Sequence, residues 1–193
     1  MKEILSEVQT WLEQEEPIAV AVVVHAQRPT PRPVGAWMAV TASGKMAGSV
    51  SGGCVEGVVF QEAQEVLQTN APKQVTFRVV DEEGWEVGLA CDGEMSVYIE
   101  PLTAMHRALL DALARGETVV WVAHLSGEGH LLAWPDGRQK GRADLAPALE
   151  GAFPGPLAER RSTPVGECFV QVCAPPPTLT IVGAVHLGQI LAR

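Results

Sequence analysis

The part of the chain best suited to chemistry is the run 48–56, with the sequence GSVSGGCVE. Glycines let backbone N–H groups approach a ligand closely, and a helix start offers unpaired N–H donors, so such a turn favours phosphate or another anion. Cys54 falls in the predicted first helical turn, where the helix dipole lowers a thiol pKa. A glycine-rich turn around a small buried cysteine is the alternative that needs no ligand. The candidate binding residues of this run are Ser49, Ser51, Gly52, Gly53 and Cys54.

The other three cysteines are weaker candidates for a functional role. Cys91 precedes Asp92 and Gly93, a pair that also suits a plain hairpin turn. Cys168 and Cys173 stand five positions apart on a predicted strand, so they face opposite sides of a sheet and are interpreted as structural. The four cysteines show no C-x-x-C spacing, which argues against a zinc knuckle or a thioredoxin-like motif.

Hydrolytic chemistry has little support in the sequence. The five histidines include no H-E-x-x-H pattern and have no carboxylate at ligand spacing, so no hydrolytic metal site is predicted. Ser51 lies in S-G-G rather than in a G-x-S-x-G elbow, so a serine hydrolase is not predicted either.

Hydrophobic periodicity predicts the elements that must position the glycine-rich run. A helix over 3–15 is stopped by Pro17, and the β-branched run 18–26 suits a strand buried on both faces. The run 48–56 leads into a helix whose apolar face consists of Val55, Val58, Val59, Ala63, Val66 and Leu67. The remaining predictions are strands at 36–41, 45–47, 74–80 and 94–100, a helix at 103–115, and strands from 118 onward.

These elements predict an α/β fold, mixed α+β in type, with a mixed β-sheet flanked by helices. Three prolines at 175–177 mark a linker, and the following TLTIVGAVHLGQILAR begins like a β-turn-α unit. The predicted division is one domain over 1–174, followed at 175–193 by the linker and a truncated β-turn-α stub. Because a lone parallel strand needs cover on its faces and edges, we expect the apolar part of the stub to be buried.

The charge pattern is uneven. A net charge of −9 argues against binding to nucleic acid or to an anionic membrane, which require a basic face. Between Glu16 and Glu56 there is no Asp or Glu, whereas the stretch holds four basic residues. These are His25, Arg28, Arg32 and Lys45, and they favour an anionic small ligand there. The absence of carboxylates has a second explanation, because a buried strand would also exclude them. No apolar run reaches membrane-spanning length and the first residues are acidic, so we expect a cytoplasmic protein.

Several motifs resemble the XdhC/CoxI family in order and spacing. They are Pro31-Arg32, Gly35-Ala36 with Met38, the run GSVSGGCVE, Trp85-Glu86, Gly88-Leu89 and Cys91. The resemblance covers residues 15–100, and the chain would then end within the opening of the family's C-terminal Rossmann-type domain. The sequence departs from the family pattern at Asp92, which places a carboxylate beside Cys91, and at Val185, whose Cβ would block a nucleotide at 183–188.

The resemblance implies an accessory protein that carries the molybdenum cofactor (molybdopterin) as cargo and is not itself a stand-alone catalyst. It would assist sulfuration of the cofactor and its insertion into xanthine dehydrogenase or a related molybdenum hydroxylase. The implied partners are the hydroxylase apoenzyme, a cysteine desulfurase and a second copy of the chain in a homodimer. By position, Arg32 and Cys91 join the glycine-rich run as cofactor-binding residues, and we expect Arg32, the run and Cys91 to converge on one concave surface.

Three alternatives stay open. Cys54 could be the nucleophile of a thiol-based sulfur-transfer protein. The chain could be a truncated paralogue that keeps the fold and binds nothing. A fragment of a dinucleotide-dependent oxidoreductase is disfavoured, because ten residues follow Gly183 whereas that motif needs a unit of about 30 residues.

Overall fold

The computed structural model describes residues 1–27, 30–78, 94–153, 155 and 157–175, apart from the side chain of Lys2. The helices are α1 (Leu5–Glu13), α2 (Glu56–Thr69) and α3 (Ala104–Ala114), with 3-10 helices at Lys2–Ile4 and Ala143–Leu149. The strands are β1 (Ile18–Ala26), β2 (Trp37–Thr41), β3 (Met46–Gly48), β4 (Lys73–Arg78), β5 (Glu94–Pro101), β6 (Val119–His124), β7 (His130–Ala133), β8 (Gln139–Gly141), β9 (Ala158–Thr163) and β10 (Gly166–Cys173).

The strands form two five-stranded sheets. The order is β3-β2-β1-β5-β4 in the first sheet and β8-β7-β6-β10-β9 in the second. Every pair described in either sheet is antiparallel. The predicted α/β class is confirmed, and its strands are arranged as two antiparallel sheets instead of one mixed sheet.

The sheets enclose a central core, and each carries a second apolar layer on its outer face. Strand β1 contributes to both apolar layers of the first sheet, because successive side chains of a strand point to opposite faces. Val20, Val22 and Val24 belong to the central core, together with residues of α1, α3 and the second sheet. Ala19 and Ala21 belong to the layer between the first sheet and α2. A third layer lies between the second sheet and the 3-10 helix at Ala143–Leu149.

The side-chain amide of Gln171, on β10, links the second sheet to β2 and to the loop before it. The indole Nε1 of Trp37 donates to Gln171 Oε1 at 2.8 Å, and Gln171 Nε2 donates to the carbonyl of Gly35 at 2.9 Å. A Cβ on Gly35 would lie 2.6 Å from Gln171 Nε2, so the close approach requires glycine there. The loop before β2 is therefore fixed to β10 of the second sheet.

The predictions from periodicity hold for the long elements. The helix beginning after the glycine-rich run, the doubly buried strand β1 and the helix near 103–115 are all present. Strands β8 and β9 and the helix at Ala143–Leu149 did not appear in the sequence pattern. β8 is exposed along its length and β9 has no apolar alternation, so neither shows the period of two by which strands are recognised.

Three further predictions concern cysteine placement, membrane spans and the C-terminal stub. Cys168 packs in the outer layer of the second sheet and Cys173 in the central core, so the prediction of opposite faces is confirmed. No helix among the described residues has the length and apolarity to cross a membrane. The stub predicted beyond Pro175 lies outside the described residues.

Candidate functional site

The glycine-rich loop connects β3 to α2. Its glycines adopt positive φ at Gly48 (77°), Gly52 (83°) and Gly53 (123°), a region that side chains with a Cβ avoid. A Cβ on Gly48 would lie 2.3 Å from the carbonyl oxygen of Trp37. The loop therefore starts with a backbone approach to β2 that needs glycine.

The carboxylate of Glu56, the first residue of α2, turns back into this loop. Its Oε1 accepts the backbone N–H groups of Val50, Ser51 and Gly52 at 3.2, 2.9 and 3.0 Å, and its Oε2 accepts that of Gly53 at 2.8 Å. The hydroxyls of two serines also donate to it, Ser49 to Oε1 and Ser51 to Oε2. One side chain thus gathers six donors.

Glu56 occupies the place that the sequence suggested for an anionic ligand. Burial alone would raise the pKa of its carboxyl, but hydrogen bonds from Ser49, Ser51 and the Ser51 backbone hold the pKa well below its ordinary value. The N–H groups of the loop bind an anionic group, but that group is a side chain of the same protein and not the small ligand that was expected. In this conformation the four N–H groups of residues 50–53 are not available to a phosphate.

Cys54 follows these four donors and stands just before Val55, the N-cap of α2. Its side chain is exposed. The backbone N–H groups of Cys54 and Val55 both donate to Ser51 Oγ at 3.0 Å, which fixes the backbone that carries the thiol. The prediction that Cys54 lies in the first helical turn is wrong, since Cys54 precedes the N-cap, but its thiol is accessible and lies within one turn of the helix start as expected.

Arg32 lies beside the loop. Its Nε donates to the carbonyl of Ser49 at 3.3 Å, and a Cβ on Gly52 would lie 3.3 Å from the Cβ of Pro31, so the two segments converge as expected. Arg32 lines a cavity of about 260 Å³ with Met1, Trp37 and others, but residues 49–53 do not line that cavity. This cavity therefore lies on the Arg32 side of the loop, and the expected concave surface shared by both segments stays a prediction.

Two cations of the carboxylate-free segment, Arg32 and Lys45, are paired with carboxylates from elsewhere, and Arg28 lies outside the described residues. Arg32 forms a salt bridge with Glu3, and Lys45 bonds to Glu16 at 2.6 Å. The segment is therefore less cationic than its sequence indicates. Cys91, the second candidate thiol, lies outside the described residues, and with it the predicted approach of Cys91 to Cys54.

A second cluster, which the sequence did not reveal, joins Glu100 of β5, His106 of α3 and His130 of β7. Glu100 Oε1 and Oε2 lie 2.9 and 2.8 Å from His130 Nε2, and Oε1 lies 3.2 Å from His106 Nε2. All three residues are buried. Trp121 stacks on the His130 ring at a centroid distance of 4.3 Å.

The cluster holds an ionised carboxylate between two imidazoles. Burial would raise the pKa of Glu100, but His106 and His130 lower it below the ordinary value. Burial also lowers the pKa of the His106 imidazole, against the opposing effect of Glu100. No local motif marks these residues, because six and 24 positions separate them along the chain. Only the packing of α3 and β7 around the end of β5 brings them together.

The fold and the loop define a class of α/β protein in which a glycine-rich turn presents an exposed cysteine at a helix start. Residues 11–78 match the model of the XdhC and CoxI family. This match agrees with the family that the motifs resemble.

Two curated relatives and one solved structure are similar to the chain. A protein of Bacillus subtilis, named as a probable subunit of xanthine dehydrogenase, is 31% identical over 141 residues, which is 65% of this chain and 42% of the relative. An uncharacterized protein of Escherichia coli, YqeB, is 38% identical over 87 residues, 45% of this chain and 16% of the relative. A crystal structure described as a xanthine dehydrogenase from Bacillus halodurans superposes with a TM-score of 0.67 at 25% identity, over 89% of this chain and 52% of that chain. The chain thus spans about half of these proteins or less.

Proposed function

We propose that this chain is an accessory protein of a molybdenum hydroxylase of the xanthine dehydrogenase type, and that it holds molybdenum cofactor through Cys54. The observation that carries the proposal is the exposed thiol of Cys54 on a loop whose backbone is fixed by Ser51 and Glu56. The family of residues 11–78 and the name of the Bacillus subtilis relative support the same class of partner. On this proposal the chain hands the cofactor to the hydroxylase apoenzyme.

The residues present fit one end of such a cofactor. Sulfur is a suitable ligand for a soft metal–dithiolene centre, and Cys54 places a cysteine sulfur at the surface. The phosphate end does not find free donors at residues 50–53, since Glu56 already accepts those N–H groups. When bound, the cofactor supplies the molybdenum centre that the hydroxylase needs, while this chain contributes the thiol and the rigid loop that orients it.

The other proposed residues have supporting roles. Ser49 and Ser51 hold the Glu56 carboxylate through their hydroxyls, so they position the loop. Arg32 reaches the same loop through the Ser49 carbonyl. A cysteine desulfurase that sulfurates the cofactor, and a homodimer of this chain, belong to the proposal as further partners.

Binding of molybdenum and pterin tests the proposal directly. The full chain is incubated with molybdenum cofactor released from a molybdoenzyme and separated from free cofactor. Bound molybdenum is then measured by mass spectrometry of the metal, and bound pterin by fluorescence after oxidation. We expect both to be retained by the wild type and by Cys168→Ala, which removes a buried thiol in the second sheet, and to be lost from Cys54→Ala. Equal retention by all three proteins would contradict a role for Cys54.

The exposure of Cys54 also suits a second function, sulfur transfer, in which its thiolate accepts a sulfane sulfur from the persulfide of a cysteine desulfurase. Incubation with the desulfurase and free cysteine, followed by peptide mass analysis, separates the two functions. A mass gain of one sulfur atom on Cys54, without cofactor binding, would favour transfer. Cofactor binding without that gain would favour the carrier.

A further inference from the structure

We propose that Glu100, His106 and His130 form a binding site for a divalent first-row transition-metal ion of the zinc type. The site shares no residue with the glycine-rich loop and does not depend on the function proposed above.

The three side chains have the convergence that a metal site requires. One donor atom from each lies within 4.8 Å of the other two. Each donor sits on a regular element, Glu100 on β5, His106 on α3 and His130 on β7, so the backbone holds them in place. Because β5 belongs to the first sheet and β7 to the second, the ion would bridge the two sheets.

One of the donors has a buried nitrogen that is poorly satisfied. His106 is fully buried, and within the described part of the chain its Nε2 has no partner that meets hydrogen-bond geometry, although Glu100 Oε1 is 3.2 Å away. An unmet buried polar atom is costly and calls for an explanation. In the tautomer with the proton on Nδ1, Nε2 becomes an electron-pair donor, and a bound cation would then give this buried atom a partner.

The donor set determines the class of ion. Two imidazoles and one carboxylate suit zinc and the neighbouring first-row ions, whereas calcium and magnesium prefer sites made of oxygen atoms. Three protein ligands also leave a coordination position open, the arrangement of catalytic rather than structural zinc. Here Glu100 and His130 line a cleft of about 430 Å³, whose other walls include Thr103, Met105 and Arg142. The cleft gives the ion an entry path and gives a water molecule room at the open position.

Thr103 contacts His106 Nδ1, the ring nitrogen to which the proton must move when a metal ion binds Nε2. The Thr103 N–H donates to His106 Nδ1 at 3.1 Å, which places the ring proton on Nε2 in the described state. An ion at Nε2 requires the other tautomer, with the proton on Nδ1. Thr103 Oγ1, 3.0 Å from Nδ1, is in position to accept it, as outer-shell partners of metal-bound histidines do. The bond from the Thr103 N–H is given up in exchange, which lowers the affinity of the site.

Titration of the chelator-treated full chain with zinc, followed by calorimetry, tests the site. We expect one zinc ion per chain in the wild type. Glu100→Gln and His130→Ala should lower the affinity by at least about 100-fold, because outer-shell changes alone cost 10- to 100-fold. The matched control is His124→Asn, which alters a buried histidine of β6 that bonds to the Val165 carbonyl and should bind zinc like the wild type. Wild-type affinity no higher than that of His130→Ala would overturn the proposal.

Two measurements avoid dependence on variants that fail to fold. Cobalt added to the wild type should give the intense visible absorption of four- or five-coordinate cobalt with nitrogen ligands, and the weak spectrum of the hexaaqua ion would overturn the proposal. Thr103→Val should bind zinc about tenfold more weakly, and Thr103→Ser should restore binding, because the serine hydroxyl can accept the Nδ1 proton. Identical affinities for both variants would contradict the assigned role of Thr103.

Discussion

Replacing Glu56 by alanine removes the acceptor on which the glycine-rich loop depends. Three backbone N–H groups and two serine hydroxyls lose their acceptor at once, whereas the Gly52 N–H keeps a second acceptor, Ser49 Oγ at 2.9 Å. The backbone N–H groups differ in their access to water. Val50 and Ser51 are 0% and 1% exposed, whereas Gly52 and Gly53 lie at the surface, where water can replace the carboxylate.

The cost follows mainly from the two buried donors. An unsatisfied buried N–H costs about 1–3 kcal/mol, so Val50 and Ser51 together give about 2–6 kcal/mol. The loop will relax toward solvent and recover part of this, and we expect Glu56→Ala to lower the free energy of unfolding by about 2–4 kcal/mol. Glu56→Gln keeps one acceptor oxygen and loses the charge, so its cost should be smaller, about 1–2 kcal/mol.

Urea denaturation followed by tryptophan fluorescence measures these values. Glu65→Ala is the matched control, because Glu65 lies on the same helix and its ion pair with Lys73 is exposed. That surface pair should contribute less than about 1 kcal/mol. If Glu56→Ala unfolds at the same urea concentration as Glu65→Ala, the carboxylate does not hold the loop and the reasoning fails.

The same carboxylate predicts a pH dependence. Because the folded-state pKa of Glu56 is depressed, its contribution is fully present above the ordinary glutamate pKa of 4.5 and is lost as the pH falls through the folded-state value. The stability difference between wild type and Glu56→Gln should therefore shrink on going from about pH 7 to about pH 3. A difference that grew in acid would show that the sign of the shift is wrong.

Two further predictions concern the same loop. Gly48→Ala should destabilise the protein by at least about 2 kcal/mol in thermal unfolding, because its Cβ meets the Trp37 carbonyl at a positive φ, while Gly57→Ala in the open first turn of α2 should be neutral or stabilising. Equal melting temperatures for the two variants would refute this reasoning. Cys54 should react with a thiol reagent in the native protein and Cys168 only after denaturation, as peptide mapping will show, since one is exposed and the other buried. Native labelling of Cys168 at the rate of Cys54 would contradict the packing of the second sheet.

Much of the fold could be predicted because a long apolar run is stable only where its side chains are buried. The run of β1 is apolar at nearly every position, and a strand covered on both faces is the structure in which such a run is stable. The number of sheets could not be predicted in this way. It depends on which strands pair, and on an exposed strand such as β8 that carries no apolar pattern.

The sequence could predict the part of the site that is formed by residues close together along the chain. The placement of Cys54 follows from a glycine run before an amphipathic helix. The occupant of the loop was missed, although a signal existed, since an acidic residue in a first helical turn can reach back to preceding N–H groups as in a capping box. Glu100, His106 and His130 carried no such signal, because their meeting depends on the packing of two sheets.

The position of β10 has a consequence for synthesis on the ribosome. The first sheet is built from residues 18–101 and is complete early, whereas the second sheet receives β10, the strand between β6 and β9, only at residues 166–173. Until then the face of the first sheet that carries Trp37 and Tyr98 lacks Phe169 of the central core and Gln171, the hydrogen-bond acceptor of Trp37. Both aromatic residues are almost fully buried in the finished protein. A nascent chain arrested before residue 166 will therefore display an aromatic surface, and such a chain is a natural substrate for chaperones that bind apolar segments.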